Sequence, residues 1–144
     1  LETLPEATAG LALVLDEMPL RREAYLRLFT PWAADQNLSI QGGDLCHDTV
    51  EIEQAKIVIL CAGARSIREL WLDGKLCDMA NDGPPTVIIS DMRDPVEIAS
   101  ALSWGVRGFV PTELAPEQAL NTLTFILSGG DFFPSSALIR KERY

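Results

Sequence analysis

Basic charge is scarce in this chain. Its 12 Lys and Arg face 21 Asp and Glu, for a net charge of −9. A duplex-binding surface needs clustered Lys and Arg to neutralise phosphates, so DNA contact is expected only through a domain outside this chain. The one basic cluster, Arg140, Lys141 and Arg143 around Glu142, reads as a solvated linker. Long apolar runs are also missing. A membrane helix needs roughly 18 such residues, and the longest candidate, Leu11 to Leu15, is strand-sized; no membrane contact is expected. Leu1 to Gly10 lacks the basic region and apolar stretch of a secretory leader. The first residue is Leu, not Met, so a piece of a longer protein is expected. The three cysteines, Cys46, Cys61 and Cys77, form no short-spaced pair. That usage suits reduced thiols in the cytoplasm, not a disulfide framework. The single histidine, His47, lies in the short expected helix and reads as structural or exposed. There is no glycine-rich phosphate loop after the first apolar run, no paired base and nucleophile and no metal-ligand spacing. The expectation is a non-enzyme without metal or cofactor.

What is present is apolar content of 47% over 144 residues, enough for one domain with one sizeable core. Short aliphatic runs alternate with longer helical stretches, the pattern of βα units around a parallel sheet. Strands are expected at Leu11–Leu15, Leu38–Ile40 (closed by Gly42-Gly43), Ile57–Leu60 ending at Cys61, Thr86–Ser90 and Gly108–Val110. A helix over Leu20–Trp32 would bury Leu20, Ala24, Leu28 and Trp32, with Pro31 leaving its end open. A short helix is expected over Cys46–Gln54. Ser66 and Glu69 suggest a capping box for a third helix, with Ile67, Leu70, Trp71 and Gly74 inward. Asp94-Pro95 opens a fourth helix that ends at Gly105. A fifth runs from Pro116, with Ala119, Leu120, Leu123 and Leu127 on one face, to Gly129-Gly130. The expected fold class is α/β, a flavodoxin-like doubly wound (βα)5 with a five-stranded parallel sheet. Chemistry in such a sheet sits at the carboxyl ends of the strands. Here those ends carry Asp16-Glu17, Cys61, Ser90 and Thr112.

At these residues the chain resembles bacterial response-regulator receiver domains, above all those of the NarL/LuxR transcription-factor group. The stretch Leu13-Val14-Leu15-Asp16-Glu17-Met18-Pro19-Leu20-Arg21-Arg22-Glu23 is similar to the family's first strand, acidic pair and Pro-Leu turn. Gly105-Val106-Arg107-Gly108-Phe109-Val110-Pro111 is similar to its fifth-strand signature, and Gly129-Gly130-Asp131-Phe132-Phe133-Pro134 to the segment leading to a linker and a helix-turn-helix. The resemblance covers about Leu11 to Leu138. It implies that Asp16 and Glu17 match a Mg²⁺-binding acidic pair, Ser90 a hydroxyl switch residue and Phe109 an aromatic switch residue. Two positions depart: Cys61 stands where the phosphoacceptor aspartate belongs, and Thr112 where the lysine belongs. A thiol is a poor acyl-phosphate former and a poor ligand for a hard cation, and Thr112 carries no charge. Phosphorylation and strong Mg²⁺ binding are therefore expected to be absent.

Cys61 reads as a small neutral filler; a redox-sensing thiol is the alternative, opposed by the nearby carboxylates and by burial. Tyr25, Leu26, Phe29 and Phe125 exceed one inward stripe and suggest a homodimer through the first and last helices, against a broad inner face. Three regions follow: an N-terminal extension (1–10), a receiver-like domain (11–130) and a C-terminal tail or linker start (131–144). The expected function is a pseudo-receiver, the N-terminal regulatory part of a cytoplasmic LuxR-type regulator, acting by dimerisation and protein contacts. The alternative is a small-ligand or redox sensor using the vacated pocket.

Overall fold

The structure is a computed structural model and describes residues 10–45, 49–73 and 83–134. Cys46, His47, Cys77, Gly74, the first turn expected at Cys46 and the basic cluster after Leu138 lie outside the described residues, as does the Trp71 side chain. In chain order the elements are β1 (Gly10–Leu15), α1 (Pro19–Asp35), β2 (Leu38–Gly43), α2 (Thr49–Gln54), β3 (Ile57–Gly63), α3 (Ile67–Asp73), β4 (Thr86–Ser90), α4 (Pro95–Ser103), β5 (Gly108–Pro111) and α5 (Pro116–Leu127). The strands form one sheet in the order β2-β1-β3-β4-β5, every pair parallel. The order reverses between β1 and β3, so the chain leaves the sheet in opposite directions there and opens a crevice at the strand ends.

Both sheet faces are covered, which is why β1, β3 and β4 read as unbroken apolar runs. Side chains alternate between two layers. Val14, Ile59, Cys61, Ile89 and Val110 pack with Phe29 and Trp32 of α1 and Leu123 and Ile126 of α5. Leu15, Leu60, Ile88 and Phe109 pack with Ile52, Ile67, Leu70 and Ile98 of α2, α3 and α4. The indole N–H of Trp32 donates to Thr124 Oγ1 at 2.9 Å, tying α1 to α5.

Four expectations need correction. The buried face of α1 is not the line Leu20, Ala24, Leu28, Trp32: Leu20 is 86% and Leu28 38% exposed, and the core residues are Phe29, Trp32 and Ala33. Four-residue steps drift about 40° each on a helix of 3.6 residues per turn, so that line walks off the inner face. Phe29, at 1% exposure, has no surface to offer a partner copy and belongs to the core. α1 also runs through Pro31, whose outward position lets water serve the carbonyl that loses its donor; Asn37, at φ 60°, follows its end. β2 continues through Gly42-Gly43, which pair with Val14 and Leu15. A Cβ on Gly42 would lie 2.8 Å from Leu26 Cδ1, so α1 packs directly on that backbone. Residues 131–134, the start of the expected tail or linker, are tied to the sheet: Phe132 bridges β5, and Phe132 and Phe133 pack against the two core layers.

Candidate functional site

The crevice is built from main-chain turns. Asp16 follows β1, and its N–H reaches across to Gly43 O at 3.0 Å, which turns the carboxylate inward. The residue has no solvent exposure. Its partner is Arg21, in the first turn of α1. Arg21 Nε donates to Oδ2 at 2.7 Å and Nη2 to Oδ1 at 2.6 Å, a two-pronged fork. The Met18 N–H also donates to Oδ1, at 2.9 Å. Arg21 Nη2 lies 3.4 Å from the Cys61 carbonyl oxygen. Gly63, at φ 59°, completes the cradle: a Cβ there would come within 2.0 Å of Arg21 Nη1. Both its left-handed backbone and the guanidinium beside it demand glycine. The hydrogen bonds that Arg21 donates to Asp16 hold the Arg21 pKa above its ordinary value.

Glu17 points elsewhere. Arg65 Nη1 donates to its Oε1 at 2.7 Å, and Arg65 also pairs with Glu69 at 3.6 Å. The two carboxylates of the acidic pair therefore face separate arginines. Cys61 is 2% exposed within the α1–α5 layer. Burial above all, and then the Asp16 charge, push its thiol pKa well above the ordinary range, while Arg21 opposes them. A group so shifted stays a neutral thiol at physiological pH.

Ser90 is fully buried at the end of β4; its Oγ accepts from the Met92 N–H at 2.9 Å and lies 3.4 Å from Gly63 O. Thr112 is exposed and donates to Asp91 Oδ1 at 2.8 Å, on the outer side of the crevice. Phe109 is fully buried in the opposite layer. A recess of about 20 Å³ runs beside it, lined by Met92, Arg93, Ile98, Phe109, Pro111 and Pro134. That volume holds about one water. Among the described residues no three His, Cys, Asp or Glu side chains converge as a metal site would require.

The structure thus gathers Asp16, the Cys61 backbone, Gly63 and Ser90 at the switch point and leaves Glu17, Thr112 and Phe109 at its margins. Sequence reading missed Arg21, Arg65 and Asp91. For Arg21 a signal existed: a basic residue five positions after a strand-end aspartate falls in the first turn of the next helix, over the crevice.

No protein-family model matches the chain, and no curated protein matches it. Solved structures do. A LuxR-family DNA-binding response regulator from Silicibacter pomeroyi superposes with a TM-score of 0.68 at 20% identity, covering 88% of this chain and 98% of that one. A LuxR-family two-component response regulator from Aurantimonas gives 0.63 at 18% identity over 94% and 99%. The RcsB response regulator of Salmonella typhimurium gives 0.67 at 12% identity over 94% of this chain and 68% of its own. The fold is that of a response-regulator receiver. Within this receiver fold the crevice at the β1–β3 switch point is filled by the chain's own guanidinium. No helix among the described residues is long and apolar enough to cross a membrane.

Proposed function

We propose that the chain is a regulatory, non-catalytic receiver-type domain that works without aspartyl phosphorylation. The observation that carries this reading is the Arg21 fork on Asp16, lying against the Cys61 carbonyl. A divalent cation at this place would need free carboxylate oxygens; both oxygens of Asp16 are engaged by a cation the chain supplies itself. Cys61 adds a buried thiol where an acyl phosphate would need a carboxylate. Because LuxR-family regulators share the fold, the domain is read as the regulatory part of a cytoplasmic transcription regulator, reaching DNA only through another domain. Its work is protein contact and pairing with a second copy. Exposed Phe125 on α5 and half-buried Tyr25 and Leu26 on α1 support such a pairing surface. The redox-sensor alternative finds less support, because Cys61 is 2% exposed; a ligand at the strand ends would have to share the crevice with the Arg21 guanidinium, which lies against the Cys61 carbonyl.

The test is incubation of the full chain with acetyl phosphate and Mg²⁺, followed by intact-mass measurement. No stable mass gain is expected. A stable phosphoryl adduct that disappears in Asp16→Asn or Glu17→Gln would overturn the reading.

A further inference from the structure

The outer edge of β5 is occupied. Phe132 N–H donates to Arg107 O at 3.0 Å, and Phe109 N–H donates to Phe132 O at 2.9 Å. This is one parallel ladder step. The next step would pair residue 134 with Phe109 O and residue 111 with residue 134. Both positions are proline, without an N–H, so the ladder ends after one residue. Phe132 joins the α1–α5 layer and Phe133 the opposite layer, as adjacent residues of an edge strand would. Arg107 clamps the start of the segment, with Nε on Asp131 and Nη2 donating to Gly129 O at 2.7 Å. The hinge is Gly129, at φ 106°, and Gly130, which lies against the Phe125 ring. Pro134 forms a wall of the recess beside Phe109.

We infer that residues 130–134 are a releasable strap, a one-step sixth strand that closes the β5 edge and walls Phe109. Among the described residues its attachments suit release: three main-chain bonds, one of them from Gly130 N–H to Phe125 O at the hinge, one ion pair on partly exposed side chains and two half-buried aromatic rings. Segments held by so few contacts open with less free energy than the central sheet. Docked, the strap fixes where the chain leaves the fold. Released, it uncovers the Phe109 N–H, the Arg107 carbonyl and one side of the recess. The inference does not depend on how the crevice at Asp16 is used.

Amide hydrogen exchange on the full chain tests it. The Phe109 amide is expected to be protected, yet to exchange faster than the β3 amides. Asp131→Lys should speed Phe109 exchange roughly fivefold, the scale of an exposed ion pair, and leave β3 unchanged. The double exchange Arg107→Asp with Asp131→Lys should recover part of the protection, because an aspartate at position 107 restores the ion pair but not the bond to Gly129 O. Phe132→Ala should speed Phe109 exchange further. A Phe109 amide unprotected in the intact chain, a rise shared equally by β3, or no response to either Asp131→Lys or Phe132→Ala would each overturn the inference.

Discussion

Removing the Arg21 guanidinium would leave the Asp16 carboxylate, among the described residues, with the backbone N–H of Met18 as its remaining donor, in a site without solvent exposure. Breaking one partner of a buried pair costs about 3–5 kcal/mol. Arg21→Ala should fall near ~3 kcal/mol, because about a third of the Arg21 side chain is exposed and water can enter. Urea unfolding measures it, and Asp16→Asn in the same background should recover much of the loss; a cost below ~1 kcal/mol would mean the pair behaves as a surface bridge. Tyr25 offers a second test. Burial raises its pKa from 10.0 to about 12. The folded state therefore favours the neutral phenol. The unfolded chain loses its proton first, so this contribution is complete below pH 10 and is lost as pH rises from about 10 to about 12. Stability followed across that window should fall, and Tyr25→Phe should flatten the fall. At this scale the sequence told unevenly. Asp16, Cys61 and Ser90 could be placed because strand ends are legible from apolar runs. The Arg21 fork could not, because an ion pair across a turn leaves no periodic trace.

The helices show the same divide. α4 was legible at both ends: Asp94 Oδ1 accepts the Val96 N–H at 2.9 Å, and Gly105, at φ 90°, closes it. The entry of α3 was misread. Ser66 and Glu69 suggested a local capping box, but the Ile67 N–H donates to Glu97 Oε1 of α4 at 2.7 Å, and the Ser66 hydroxyl lies 3.3 Å from Glu97 Oε2. Glu69 turns to Arg65 instead. A cap supplied by another helix depends on packing, which local spacing does not encode. Loss of a cap costs roughly 1 kcal/mol, so Glu97→Ala should destabilise the fold by about that much and speed exchange of the Ile67 amide, while Glu69→Ala should change both little. The α1 stripe failed for a simpler reason: fourfold spacing was followed from exposed Leu20, although Tyr25, Phe29, Trp32 and Ala33 keep to the three-and-four rhythm of an inner face.

For the molecule as a whole, the parallel sheet and its two-layer core follow from the alternation of apolar runs and helices; the order β2-β1-β3-β4-β5 does not, because the same alternation also builds other doubly wound orders. The proposed pairing of copies belongs to its surface. With Phe125 54% exposed on α5, sedimentation is expected to show a dimer at micromolar concentration that Phe125→Asp shifts to monomer with the far-ultraviolet spectrum unchanged; a wild-type monomer at high micromolar concentration would remove the pairing. The edges of the sheet carry a separate consequence. Unbounded strand-to-strand growth requires two open edges on each copy, one to add to and one to be added to. Pro111 and Pro134 stop the ladder on the β5 side while the strap is docked, and β2 is the other edge among the described residues. Among the described residues, and while the strap is docked, lateral joining through this sheet is therefore left to edge β2 against edge β2, which ends at two copies and gives a finite pair in place of a fibre.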